Sequence, residues 1–228
     1  MENSERTPPF RRRPLRAVLL AGGAAALVVG LSVAGSGLIP ARERLVVIGD
    51  SLSTGLGSSA ADSWPVLVER DEETRLDQFD VVNAAQNGSG YVTPGDEAGT
   101  FMTEVTQYVT PEARVVLFFG SDNDIGSTAD QIREAAESAV EAARERAPEA
   151  RIIVVGPPSY SANPDAELLD IRDALRSAAF RTKATFIDPI AEGWIAERAD
   201  ELIGPDGEHP NAAGHLRLAA LMEDVLDR

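Results

Sequence analysis

From Arg42 to the C-terminus the chain alternates short apolar runs with stretches of helical periodicity, and few folds accommodate that alternation. The apolar runs are Leu45–Ile48, Val81–Val82, Val115–Phe119, Ile152–Val155 and Thr185–Ile187. Each is short, β-branched or aromatic, and bounded by Gly, Asn, Asp or Pro, as parallel strands buried on both faces are. Between them lie helices with readable ends. Ser63 caps one, with Pro65 in its first turn. Thr128-x-x-Gln131 is a capping box opening a helix whose apolar face includes Ile132, Ala136, Ala139 and Ala143, stopped near Pro148. Asn163-Pro164 opens another, with Leu168, Ile171 and Leu175 spaced to face a sheet; Asn211 caps the last, with Leu218, Leu221, Met222 and Val225 turned inward. Strands alternating with helices predict a three-layer α/β/α sandwich around a mostly parallel, five-stranded sheet.

The N-terminus falls outside that pattern. Residues 1–16 are basic through Arg6, Arg11, Arg12, Arg13 and Arg16, and they precede an uncharged stretch from Ala17 to Ile39. Its 23 residues would span about 34 Å as a helix, enough to cross a bilayer. The arginine flank would hold the N-terminal side in the cytoplasm and send residues 40–228 outward. The segment is expected to be a retained anchor, longer than a usual signal-peptide core. Cleavage after Ser32-Val33-Ala34 is the competing reading, and both predict an exported domain. Beyond residue 40 the chain has 16 basic and 35 acidic residues, a net −19. Such a surface repels nucleic acid and anionic lipid, so contact with a membrane is expected through the N-terminal segment only. Cysteine is absent, which excludes disulfides, thiolate catalysis and a lipoprotein anchor. With His209 and His215 the only imidazoles, no metal site and no cofactor is expected.

Chemistry concentrates at two places. Ile48-Gly49-Asp50-Ser51-Leu52 follows the first apolar run, so Ser51 would emerge at the carboxyl edge of the sheet, where such folds bind ligands. Asp206-Gly207-Glu208-His209-Pro210-Asn211 precedes the last helix. Asp and His three residues apart on one turn can sit side by side, the carboxylate holding one imidazole nitrogen while the other faces a serine. Other echoes fail. Gly55-x-Gly57-x-x-Ala60 begins too far from its strand for a dinucleotide loop. Ser121-Asp122-Asn123 lacks the Ser-x-x-Lys that a β-lactamase would need. Asp122, Asp124 and Gly126 depart from calcium-loop spacing.

Two further stretches complete a set of four: Val81-Val82-Asn83-Ala84-Ala85-Gln86-Asn87-Gly88-Ser89-Gly90-Tyr91 after the second run, and Phe119-Gly120-Ser121-Asp122-Asn123-Asp124 after the third. In this order and spacing the four blocks resemble the SGNH hydrolases, also called the GDSL esterase/lipase family, over roughly residues 45–225. The resemblance implies a flavodoxin-like sheet, Ser51 as nucleophile, and Asp206 and His209 as the acid and base of its triad. It implies an oxyanion hole from the backbone N–H groups of Ser51 and Gly88 and the side-chain amide of Asn123. Asp50 and Asp124 are expected to brace loops, His215 to be structural, and Trp64 and Trp194 to pack. The third block departs from the family by placing Ser121 and Asp122 where a second glycine often stands. Residues 156–163 have no counterpart in the four blocks and are expected to shape the pocket. The expected activity is hydrolysis of a carboxylic ester, on a small molecule or an acetylated carbohydrate, through an acyl-enzyme. Acyl transfer to a surface carbohydrate by the same triad, and a non-catalytic binding domain on the same scaffold, are the alternatives.

Overall fold

The computed structural model describes residues 42–71, 79–120 and 122–228. The basic residues 1–16, the apolar segment 17–39 with its Ser32-Val33-Ala34 site, and Ser121 lie outside the described residues. Among the described residues no helix is long and apolar enough to cross a membrane.

Five strands form one sheet: β1 (Glu43–Gly49), β2 (Phe79–Asn83), β3 (Ala113–Phe119), β4 (Arg151–Val155) and β5 (Thr185–Ile187). They lie in the order β2-β1-β3-β4-β5, and every neighbouring pair is parallel. This is the flavodoxin-like order, in which the chain reverses its direction of travel between β1 and β3 and opens a crevice there. The strand alternation sorts side chains to two faces. Val46, Ile48, Val116, Phe118, Ile152 and Val154 enter one core; Leu45, Val47, Val115, Leu117, Phe119, Ile153 and Val155 enter the other.

Helices α3 (Phe101–Tyr108), α4 (Ala129–Arg146) and α5 (Ala166–Thr182) cover the first face. The second is covered by α2 (Trp64–Asp71) and α7 (Ala212–Leu226), while the one-turn helices α1 (Ser51–Thr54) and α6 (Ala199–Leu202) flank the site. Trp64 and Trp194 are both core residues, packed by edge and tilted contacts on Phe119, with ring centroids 6.2 and 6.4 Å away.

The helix ends divide. Thr128 and Gln131 form the expected capping box, and Asn211 caps α7 by accepting from Ala213 N–H and Gly214 N–H. Ser63 stands at the N-cap position of α2, its carbonyl accepting from Leu67 N–H, while its hydroxyl donates to the Ala60 carbonyl after the 3₁₀ turn at Ala60–Asp62. The helix expected from Asn163-Pro164 starts later, at Ala166 with Asp165 as N-cap. The residues before it are held in a chain of Ser159 and Ser161 side-chain turns.

Candidate active site

The carboxyl ends of β2, β1 and β3 are adjacent in the sheet, so the loops that follow them converge. Ser51 leaves the end of β1 as the first residue of α1 and is 7% exposed. Asp50, immediately before it, is fully buried and caps α1, its Oδ1 accepting from Leu52 N–H at 2.9 Å. The loop after β2 turns at Gln86–Ser89, closed by Ser89 N–H donating to the Gln86 carbonyl. Gly88 takes the third position of that turn with φ +72°, which a residue with a Cβ adopts only at a cost. The turn is tied to α1 by the Thr54 hydroxyl, which donates to Asn87 Oδ1 at 2.6 Å.

Asn123 comes from the loop after β3. Its side-chain amide donates to the Ser89 carbonyl at 2.9 Å and to Asp50 Oδ2 at 3.2 Å. All three sheet-end loops therefore meet at this amide. Both of its hydrogens have partners, so an oxyanion would have to share or take the one now directed at Asp50. Asp124, next in sequence, points the other way: its carboxylate accepts from the N–H groups of Tyr91, Val92 and Thr93 at 2.8, 3.0 and 2.9 Å, and so braces that loop.

Asp206 and His209 reach the site from the opposite side, on a loop between α6 and α7. The loop is pinched by an antiparallel bridge between Ile203 and Pro210 and by Gly204 N–H donating to the His209 carbonyl. Asp206 Oδ1 accepts from the backbone N–H groups of Glu208 and His209, both at 3.1 Å, while Oδ2 lies 2.9 Å from His209 Nδ1. His209 Nε2 lies 3.1 Å from Ser51 Oγ. The Glu208 N–H first, then the His209 ring and the His209 N–H, hold the Asp206 carboxyl down at about 2. The carboxylate is therefore charged across the neutral range, and it favours the imidazole tautomer with its proton on Nδ1 and a lone pair on Nε2. Gly57 makes this approach possible: it has φ +87°, and a Cβ there would stand 2.7 Å from His209 Cβ.

The cavity in front of Ser51 and His209 has a volume of about 330 Å³ and is bordered by Asn123, Asp122, Tyr160 and Glu208. Tyr160 belongs to the stretch 156–163, and its hydroxyl donates to the Glu208 carbonyl at 2.9 Å. Burial raises the Tyr160 phenol above its ordinary value, and Asp50, Asp122, Asp206 and Glu208 push it the same way. His215, on α7, is fully buried away from the nucleophile, and burial lowers the pKa of its ring. Among the described residues no group of His, Cys, Asp and Glu is arranged to hold a metal ion.

Tyr160 lies in the stretch 156–163 expected to shape the pocket, and it does line the cavity; sequence reasoning missed Gly57 and the buried Glu104 beneath the loops. Gly57 carried a weak signal, since a glycine near a reactive loop often marks close backbone approach. Glu104 carried none.

The model of the GDSL-like lipase/acylhydrolase family matches residues 47–217. The GDSL lipase Rv0518 of Mycobacterium tuberculosis is 39% identical over 185 residues, which cover 77% of this chain and 78% of that protein. Among solved structures, the psychrotrophic esterase EstA from Pseudoalteromonas sp., inhibited by monoethylphosphonate, superposes with a TM-score of 0.66 at 17% identity, over 82% of this chain and 97% of that one. The lipase/acylhydrolase from Enterococcus faecalis does so with a TM-score of 0.64 at 21% identity, over 79% and 93%. At those identities the two structures speak for the fold.

Proposed function

Because the chain belongs to the GDSL-like lipase/acylhydrolase family of ester-hydrolysing serine hydrolases, we propose that Ser51, His209 and Asp206 are its catalytic triad and that the reaction passes through an acyl-Ser51 enzyme. The observation that carries this reading is the continuous line of contacts from Ser51 Oγ to His209 Nε2 at 3.1 Å and from His209 Nδ1 to Asp206 Oδ2 at 2.9 Å. His209 takes the Ser51 proton as Oγ attacks the ester carbonyl carbon. The carbonyl oxygen becomes an oxyanion facing the Ser51 and Gly88 N–H groups and the Asn123 amide. Collapse of the tetrahedral species expels the alkoxide, which takes the proton from His209 and leaves as the alcohol. Water then gives a proton to His209 and attacks the acyl carbon, and the second tetrahedral species releases the acid and restores Ser51.

The small cavity and its polar border of Asp122, Glu208 and Tyr160 favour short acyl esters, including acetyl groups on carbohydrate, over long lipid chains. The apolar segment 17–39 behind its arginine flank supports an exported domain held to the membrane by that segment.

The test uses a panel of nitrophenyl esters of increasing acyl length together with a fluorophosphonate probe, a reagent suggested by the phosphonate-inhibited esterase EstA. Wild type should label and should turn over acetate best. Ser51→Ala should neither label nor turn over above roughly one-thousandth of the wild-type rate. Labelling that survives in Ser51→Ala would remove the nucleophile from this reading.

A further inference from the structure

Beneath the catalytic loops lies a carboxyl group that the reaction above does not use. Glu104, in the first turns of α3, has no exposed surface. Its Oε2 accepts from Gly49 N–H at 2.9 Å, and its Oε1 lies 2.8 Å from Ser89 Oγ. Gly49 stands two residues before Ser51. Ser89 follows Gly88 directly, and its carbonyl is one of the two oxygens that hold the Asn123 amide. One side chain therefore touches both loops whose relative position sets the distance from nucleophile to oxyanion donors.

The proton count around Ser89 states the form in which Glu104 works. Ser89 Oγ lies 2.9 Å from the Gly49 carbonyl, 2.9 Å from the Gln86 carbonyl and 2.8 Å from Glu104 Oε1. A hydroxyl carries one proton. With Glu104 ionised, three acceptors compete for that proton, and a full charge is buried against few donors. With Glu104 neutral, its own O–H donates to Ser89 Oγ, the Ser89 O–H is free to serve a carbonyl, and Oε2 still accepts from Gly49.

The surroundings favour the neutral form. From the β1 side Glu104 faces Asp50, itself fully buried. From the loop after β2 it faces the Tyr91 phenol, which burial first, then Asp124, Glu104 and Asp50, push well above its ordinary value. Helix α4 brings Ile132, Ala136 and Ala139 to this core. Burial pushes the Glu104 carboxyl up to about 8, against the pull of the Ser89 and Gly49 hydrogen bonds and with the help of Asp50.

We propose that Glu104 is a positioning residue of the oxyanion hole: as a neutral acid it donates to Ser89 and accepts from Gly49, locking the nucleophile loop to the loop that carries Gly88 and anchors Asn123. The proposal rests on the reading of Ser51, Gly88 and Asn123 given above. When Glu104 ionises, the Ser89 hydroxyl turns to the new carboxylate, and a second negative charge appears beside Asp50, which holds the Asn123 amide. Turnover then falls while substrate binding is little changed.

The experiment measures kcat and KM on nitrophenyl acetate from about pH 6 to pH 10 for wild type, Glu104→Gln and Glu104→Ala. Glutamine can donate to Ser89 and accept from Gly49 but cannot ionise. Glu104→Gln should hold kcat within about threefold of wild type at neutral pH and lose the alkaline fall that wild type should show above about pH 8. Glu104→Ala should lower kcat roughly tenfold or more at neutral pH, with KM within about threefold. The infrared C=O band of a buried neutral carboxylic acid, present in wild type at neutral pH and absent from Glu104→Gln, reports the proton without reference to catalysis. An unchanged alkaline limb in Glu104→Gln, a folded but inactive Glu104→Gln, or the absence of that band in wild type overturns the proposal. Should Glu104→Ala fail to fold, the glutamine comparison and the infrared band still decide. Turnover persisting in Ser51→Ala would instead overturn the catalytic reading, with the infrared band unaffected.

Discussion

Asn123 and Asp122 are neighbours in one loop with different environments, and that contrast tests the oxyanion hole. The Asn123 amide is fixed by Asp50 and the Ser89 carbonyl; Asp122 borders the cavity with an exposed side chain. Asn123→Ala should depress kcat far more than it raises KM, by about 2.7–4 kcal/mol of transition-state stabilisation. Asp122→Ala should change kcat by less than about tenfold, since a carboxylate at the rim can only perturb the local field. Steady-state kinetics on both variants checks this; a crippled Asp122→Ala beside a mild Asn123→Ala would shift the assignment of this block by one residue.

The two perturbed carboxyls act on stability with opposite signs. Glu104 is held in the folded chain at about 8, above its ordinary 4.5. Its contribution is full below pH 4.5 and is lost as pH rises to about 8. Relative to Glu104→Gln, wild type should therefore lose on the order of 3 kcal/mol between mildly acidic and neutral pH. Asp206 is lowered to about 2, so its contribution is full above its ordinary 3.8 and lost as pH falls toward 2. Denaturant melts of wild type and Glu104→Gln at several pH values would read the first effect directly.

At the scale of elements, legibility followed how plainly each segment's local chemistry matched its place in the fold. The central strands β1, β3 and β4 could be read because they are buried on both faces along most of their length, leaving continuous apolar runs between turn residues, while the partly exposed edge strands β2 and β5 showed only the short runs Val81–Val82 and Thr185–Ile187. The cap on α4 was equally plain, since Thr128 and Gln131 bond reciprocally within four residues. Thr128→Ala should cost about 1 kcal/mol and lower the thermal midpoint by a few degrees without touching kcat.

Helix α3 could not be read from the sequence. It is short, its cap pairs Thr100 with Thr103 rather than with Glu or Gln, and its buried face carries the carboxyl group of Glu104 between Phe101 and Val105. An acidic residue on an apolar stripe looks like a break in periodicity until its partners are known. Those partners, Gly49 and Ser89, are 55 and 15 residues away. The site itself divided in the same way. Ser51, Asp206 and His209 announced themselves through fixed local spacing, and the structure brings them within hydrogen-bond distance. Tyr160 borders the same cavity from the stretch 156–163, which was expected to shape the pocket but whose sequence did not single out that side chain.

At the scale of the whole molecule, the five strands described, both described cores and the candidate triad lie between residues 42 and 228. The Arg-flanked apolar segment precedes all of them. If that segment serves as an anchor, membrane attachment and catalysis belong to separate parts of the chain and should be separable by truncation. A protein beginning at Arg42 should keep kcat/KM on a water-soluble nitrophenyl ester within about twofold of the full chain, because no proposed catalytic group is removed. It should also leave the membrane fraction for the soluble one, carrying the net charge of −19 that keeps it in solution and away from anionic lipid. The full chain should sediment with membranes and retain its N-terminal arginines. Recovery of a mature protein from the medium with its N-terminus near Gly35 would replace the anchor by a signal peptide. A truncated protein that stays with membranes would move the attachment onto the catalytic domain, against the repulsion its acidic surface predicts.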